Sequence, residues 1–237
     1  MAHLSKIKHS SGDWQKIKSH AVAVGIYDDL KISRQFQGVN RELGRGLSNM
    51  LAANLIKGKS GEVKTVVGKK GAIAFIFGLG NRGELNAETL RKAGGGVSKA
   101  CNANKINSVS FLVPVDAKDD YMSQAAAEGL VLGSYQFNEF KTTDDDPFEM
   151  KDATIVGGNK KAVEKGTIIA NGVCLARNVD NRPGNIATPS HLAENAKAIG
   201  KAGGMKVTVF DREKFTIMGM GALAGVASGT EVPPKSI

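Results

Sequence analysis

Gly78-Leu79-Gly80-Asn81-Arg82-Gly83 has the residue types and spacing closest to a chemical motif. It fits G-x-G-x-x-G after an apolar run, where glycines can open a helix whose N-terminus holds a pyrophosphate. Two features oppose that reading. Glu84, Leu85 and Asn86 intervene before a helix can begin, and Lys99 to Asn104 lacks the acidic residue that would hold a ribose. The spacing predicts a strand-to-helix turn that needs positive φ. Gly58-Lys59-Ser60 ends like a phosphate loop, but the leading glycine position is Ala53.

The other candidates are weaker. His3, His9, His20 and His191 are dispersed and form no zinc-binding pair. Cys101 and Cys174 lie far apart in apolar helical patterns, as buried free thiols do. Ser228 lacks the G-x-S-x-G frame of a nucleophile, since Gly225 sits one position too early. Asp144-Asp145-Asp146 reads as a solvated acidic loop. Asp180 and Arg182, beside Asn181 and Asn185, read as hydrogen-bonding groups of a chain reversal. No catalytic, metal-binding or cofactor-binding residue is therefore assigned.

Alternating strand and helix signals must position these groups. Strands are expected over Ala21 to Ile26, Glu62 to Val67, Ala72 to Phe77, Val109 to Val115 and Ala153 to Val156. The second and third of these form a hairpin across Gly68-Lys69-Lys70-Gly71. Helices are expected over residues 40 to 56, from Asn86, over Asp119 to Leu132, and after Val156 with Ala162, Gly166, Ile169, Val173 and Ala176 on one face. The prolines at Pro183 and Pro189 mark a junction. Beyond it, Ser190 is expected to cap a helix over 191–201, Lys206 to Phe210 to form a strand, and Asp211 to cap a short helix. Nothing that follows could cover the second face of that strand, so Met205 to Val232 is expected to expose apolar surface. The pattern predicts an α/β fold with a mixed first sheet.

Composition agrees with a soluble globular protein: 41% hydrophobic and 23% charged residues. The net charge of +9 invites a DNA-binding reading, but the lysines are scattered without interleaved aromatics, as on an ordinary basic surface. No apolar run suits a signal peptide or a membrane span, so a cytoplasmic protein without a membrane partner is expected.

Three longer segments carry a family resemblance. Leu175-Ala176-Arg177-Asn178-Val179-Asp180-Asn181-Arg182-Pro183-Gly184-Asn185-Ile186-Ala187-Thr188-Pro189 resembles the A-R-x-L-x-N-x-P-x-N-x-x-T-P segment of leucyl (cytosol) aminopeptidases. Glu128-Gly129 through Tyr135, Phe137, Phe140 and Lys141 resembles an upstream segment of that family. Gly219-Met220-Gly221 through Val226 and Gly229, with Pro233-Pro234, resembles a downstream one. The resemblance implies a macro-domain-like N-terminal domain over residues 1–158, a connecting helix and Pro-rich junction over 159–188, and the incomplete start of an α/β metallopeptidase domain over 189–237. It further implies peptide substrates, two divalent metal ions (zinc or manganese) and a homohexamer for the full-length family. The family's metal ligands and catalytic Lys and Arg lie after the Pro-Pro segment. This chain alone is therefore expected to bind no metal and to be inactive. The alternatives are a non-enzymatic DNA-binding or assembly module, and an ADP-ribose binder working through Gly78 to Gly83.

Overall fold

The computed structural model describes residues 3–117, 119–142 and 148–237. They divide into two compact units that meet between Leu175 and Ala176.

The first unit is built on a six-stranded sheet: β1 (Ile7–Ser10), β2 (Ala21–Ile26), β3 (Val63–Val67), β4 (Ile73–Gly78), β5 (Ser108–Leu112) and β6 (Asp152–Val156). The spatial order is β1-β6-β5-β2-β4-β3. All neighbours are parallel except β3, which forms the expected antiparallel hairpin with β4. The expected mixed sheet is thus present. The central strands are apolar at nearly every position because both of their faces are covered. On one face Ala23, Phe75, Phe77, Phe111 and Ile155 share a core with Leu90, Val97 and Leu130. Phe77 and Phe111 stack there with ring centroids 4.7 Å apart. On the other face Val22, Val24, Ile26, Ala74 and Ile76 meet Phe36, Val39, Leu43 and Leu47. β1 has no counterpart in the sequence reading, because Ile7-Lys8-His9-Ser10 is a half-exposed, polar edge strand.

The helix expected over 40–56 is two helices, α1 (Arg34–Glu42) and α2 (Gly46–Ala52). Gly44 and Arg45 take φ of 60° and 69°, left-handed values that no α-helix continues through. Asn40 spans the break, its amide donating to Ser48 Oγ at 2.7 Å while its carbonyl accepts from Ser48 N at 3.2 Å. α3 (Ala87–Ala103) begins at the expected Asn86 cap, whose side chain accepts from Thr89 N at 3.1 Å. α4 (Asp120–Ser134) packs tightly on α3 through backbone-to-backbone contact. α5 (Lys160–Asp180) turns Val163, Gly166, Ala170 and Cys174 inward. Of the face expected to be buried, Gly166 does point inward, but Ile169, Val173 and Ala176 are exposed.

The second unit holds α6 (Pro189–Gly203), α7 (Arg212–Ile217) and α8 (Gly221–Val226). Thr188, not Ser190, caps α6, leaving Pro189 at the first helical position, where its missing N–H costs nothing. Asp211 caps α7 as expected, accepting from Lys214 N at 3.1 Å. The strand expected over Lys206 to Phe210 does not form. Phe210 makes only an isolated antiparallel bridge with Ser236. A strand needs a neighbour along its length, and among the described residues of this unit none is supplied. Met205, Ile217, Met218, Val226 and Val232 are exposed.

Candidate functional site

Ligands of open α/β sheets bind outside the carboxyl ends of the strands, where the chain order reverses. Here that point is the end of β2, whose neighbours β4 and β5 depart to opposite sides of the sheet. The Gly78 to Gly83 loop lies there, and its hydrogen bonds decide what it can do. Gly78 N donates to Glu62 O at 2.8 Å, Leu79 N to Ile26 O at 2.9 Å, and Gly80 N to Gly58 O at 2.8 Å. Gly83 N donates to Asn81 Oδ1 at 2.8 Å. These amides are committed within the protein and are not offered to a phosphate. The glycines have steric roles instead. A Cβ on Gly78 would stand 2.0 Å from the carbonyl oxygen of Lys59, and Gly80 takes the positive φ expected of the turn, 70°. The adjoining cleft, with Ser60, Asn81, Asn86 and Lys92 in its walls, holds about 200 Å³, less than ligand sites usually offer.

Arg82 closes the same end of the sheet. Its guanidinium lies 4.0 Å from the centre of the Tyr27 ring, pairs with Asp116 and stands 3.6 Å from Asp29. This ties together the loops that follow β2, β4 and β5. Burial, seconded by the Asp116 charge, pushes the Tyr27 phenol up to about 12. It therefore stays neutral at any physiological pH.

Three other groups have chemical potential. Ser108 Oγ accepts from His20 N at 2.9 Å and lies 2.8 Å from His20 Nδ1. This has the form of a nucleophile and base, but among the described residues no carboxylate orients the imidazole, and the pair ties β2 to β5 at their amino ends. Glu128, buried beneath α3, accepts from Arg91 Nε at 2.8 Å and from Gln124 at 2.7 Å. Burial opposes the Arg91 charge, yet hydrogen bonds to Glu128, Glu88 and Tyr121 outweigh it and hold the guanidinium protonated. Gly129 then lets the two helices touch, since a Cβ there would stand 2.1 Å from Arg91 O. The Glu128-Gly129 segment is thus a helix-packing device. Cys101 and Cys174 are both buried, and burial pushes the Cys101 thiol up to about 12. Ser228 Oγ donates to Gly225 O at 2.7 Å.

At the junction, Ile186 N and Ala187 N both donate to Pro183 O, at 2.8 and 2.9 Å, closing the reversal before α6. Arg182 Nη1 lies 2.6 Å from His191 Nε2. Asp180 is exposed. Asp144 to Asp146 lie outside the described residues. Among the described residues no three His, Cys, Asp or Glu side chains converge to hold a metal ion. The described residues do not fit the two-metal centre that the resemblance implies, and no chemical step through one is assigned to them.

Comparisons with known proteins agree on the origin of this framework. Residues 23–144 match the profile of the cytosol aminopeptidase family, N-terminal domain, and residues 174–237 that of its catalytic domain. A probable cytosol aminopeptidase of Aquifex aeolicus is 31% identical over 98% of this chain and 48% of its own length. One of Geotalea uraniireducens is 34% identical over 91% of this chain and 46% of its own. The chain spans about half the length of the curated relatives it matches. A tomato leucine aminopeptidase mutant shares the fold with a TM-score of 0.84 at 24% identity, covering 98% of this chain and 50% of that one. The bottromycin maturation enzyme BotP, solved in complex with Mn, superposes with a TM-score of 0.74 at 22% identity over 92% of this chain and 44% of its own. Two family profiles in the family's own order, on the predicted α/β framework, place this chain in the cytosol aminopeptidase family.

Proposed function

We propose that these residues are the N-terminal domain and the opening of the catalytic domain of a metal-dependent aminopeptidase that releases N-terminal residues from peptides. The ordered match to both family domains, at 23–144 and 174–237, carries this reading. Residues 1–158 serve as the N-terminal domain, 159–188 as connecting helix and junction, and 189–237 as the start of the catalytic domain. In the whole protein, the two zinc or manganese ions that the family implies would supply Lewis-acid activation of the scissile carbonyl and of water. A cytoplasmic homohexamer is the assembly that suits the family. The 237-residue polypeptide by itself is inactive, and binds none of these ions. Hydrolysis of a leucyl anilide by the purified chain with added zinc or manganese tests this: no turnover is expected, and turnover abolished by a chelator would contradict it.

The net charge of +9 favours a second reading, a DNA-binding or assembly module of the same family. Binding that weakens steeply with salt supports it, and absence of binding at low salt counts against it.

A further inference from the structure

We propose that the cleft at the amino ends of β2 and β4 binds a small organic ammonium ion with a short apolar tail, held by Glu42. The cleft lies at the opposite end of these parallel strands from the Gly78 to Gly83 loop. Its space of about 240 Å³ admits no nucleotide but suits an amine of a few heavy atoms. The apolar wall comes from Ile17, which follows the short 3-10 turn Trp14–Lys16, from Leu43 just after α1, and from Ile73 at the start of β4. Trp14 adds an aromatic wall, and indoles attract cations more strongly than other side-chain rings do. Among the described residues no Lys or Arg already stands over that ring.

The polar groups of the cleft select the charge of its ligand. Gln15 Nε2 donates to Glu42 Oε1 at 2.8 Å, which fixes the carboxylate at the end of α1. Glu42 Oε2 and Gln15 Oε1 are left as acceptors, and among the described residues neither receives a hydrogen bond. Glu42 also forms no ion pair among the described residues. The other polar side chains of the wall are committed to the sheet. Ser19 Oγ donates to Ala21 O at 3.0 Å, and His20 Nδ1 lies 2.8 Å from Ser108 Oγ. At about pH 8, where an ordinary imidazole is neutral, Glu42 is the one charged lining residue. An anion would be repelled, and a neutral apolar molecule would cover the carboxylate without pairing it. An ammonium ion only donates, so it complements the two free acceptors while its tail meets the apolar wall.

Amide and indole chemical shifts of the whole chain, titrated with isoamylamine at about pH 8, test this. Saturable shifts at Trp14, Ala72 and Ile73 are expected, with a Kd on the order of millimolar for so small a ligand. Glu42→Gln keeps an oxygen for Gln15 Nε2 but removes the charge, and is expected to weaken binding by about fivefold or more. Isoamyl alcohol, of the same shape without the charge, is expected to bind more weakly by a similar factor, a comparison that needs no substitution. Nα-acetyl-lysine amide separates two sources of the ammonium. If it binds more tightly than isoamylamine, the ligand is a lysine side chain of a peptide; if less tightly, a free amine. Binding of neither, equal binding of amine and alcohol, or undiminished amine binding in Glu42→Gln overturns the proposal.

Discussion

Tyr27 and Arg82 show how a charged cluster at a sheet's ligand-binding end can be purely structural. The ring is buried under the guanidinium, and burial is the main reason its phenol is held near 12 instead of the ordinary 10.0. An unfolded chain loses this proton near the ordinary value, so between about pH 10 and 12 the unfolded state binds fewer protons than the folded one. Tyr27 therefore stabilises the fold fully below about pH 10, and that contribution is lost as pH rises towards 12. Comparing urea midpoints near pH 9 and pH 11, Tyr27→Phe is expected to show a shallower alkaline loss than the unsubstituted chain, by roughly 1 kcal/mol. The buried Cys101 thiol, with the same direction of shift, supplies the slope that remains. The sequence showed that Gly78 to Gly83 is a turn, because Glu84 to Asn86 keep it away from the helix. The partners of Arg82 were not legible, since Asp29 and Asp116 reach it only through the strand order.

At the level of elements, close approach explains what periodicity misread. Strands β2, β4 and β5 were legible because burial on both faces writes continuous apolar runs. On α5 two apolar stripes share Gly166, and the larger side chains, Ile169 and Val173, drew the rest of the prediction to the wrong one. The core takes the stripe of small residues, Gly166, Ala170 and Cys174, because the helix lies so close that a Cβ on Gly166 would stand 2.3 Å from Gln124 O. The same substitution should consequently act in opposite directions on two helices. Gly129→Ala forces α3 and α4 apart and is expected to cost about 3 kcal/mol or more. Gly172→Ala meets nothing within 4 Å and is expected to stabilise α5 by roughly 0.5–1 kcal/mol. Thermal or urea denaturation of the two variants decides this, and equal effects would contradict the packing described. The break between α1 and α2 was hidden for a related reason: Leu43, Leu47 and Leu51 keep helical spacing across a turn held by Asn40 and Ser48.

Over the whole molecule, the longest recognisable segments are scaffold. Glu128-Gly129 locks two helices, the Pro183 to Thr188 reversal launches a third, and the glycine loop spends its amides on its own strands. That explains why the family was readable from the sequence while no catalytic residue was. Segments that hold an enzyme's architecture keep a recognisable pattern even where they touch no reacting atom. The strand expected over Lys206 to Phe210 failed at this scale too, since a strand's existence depends on a partner that its own sequence does not encode. The central claim, that residues 1–237 provide framework and junction but no metal centre, is tested most directly by calorimetric titration of the purified chain with manganese. No saturable binding is expected. A stoichiometric, chelator-reversible manganese site would contradict the account, whether or not it came with peptidase activity.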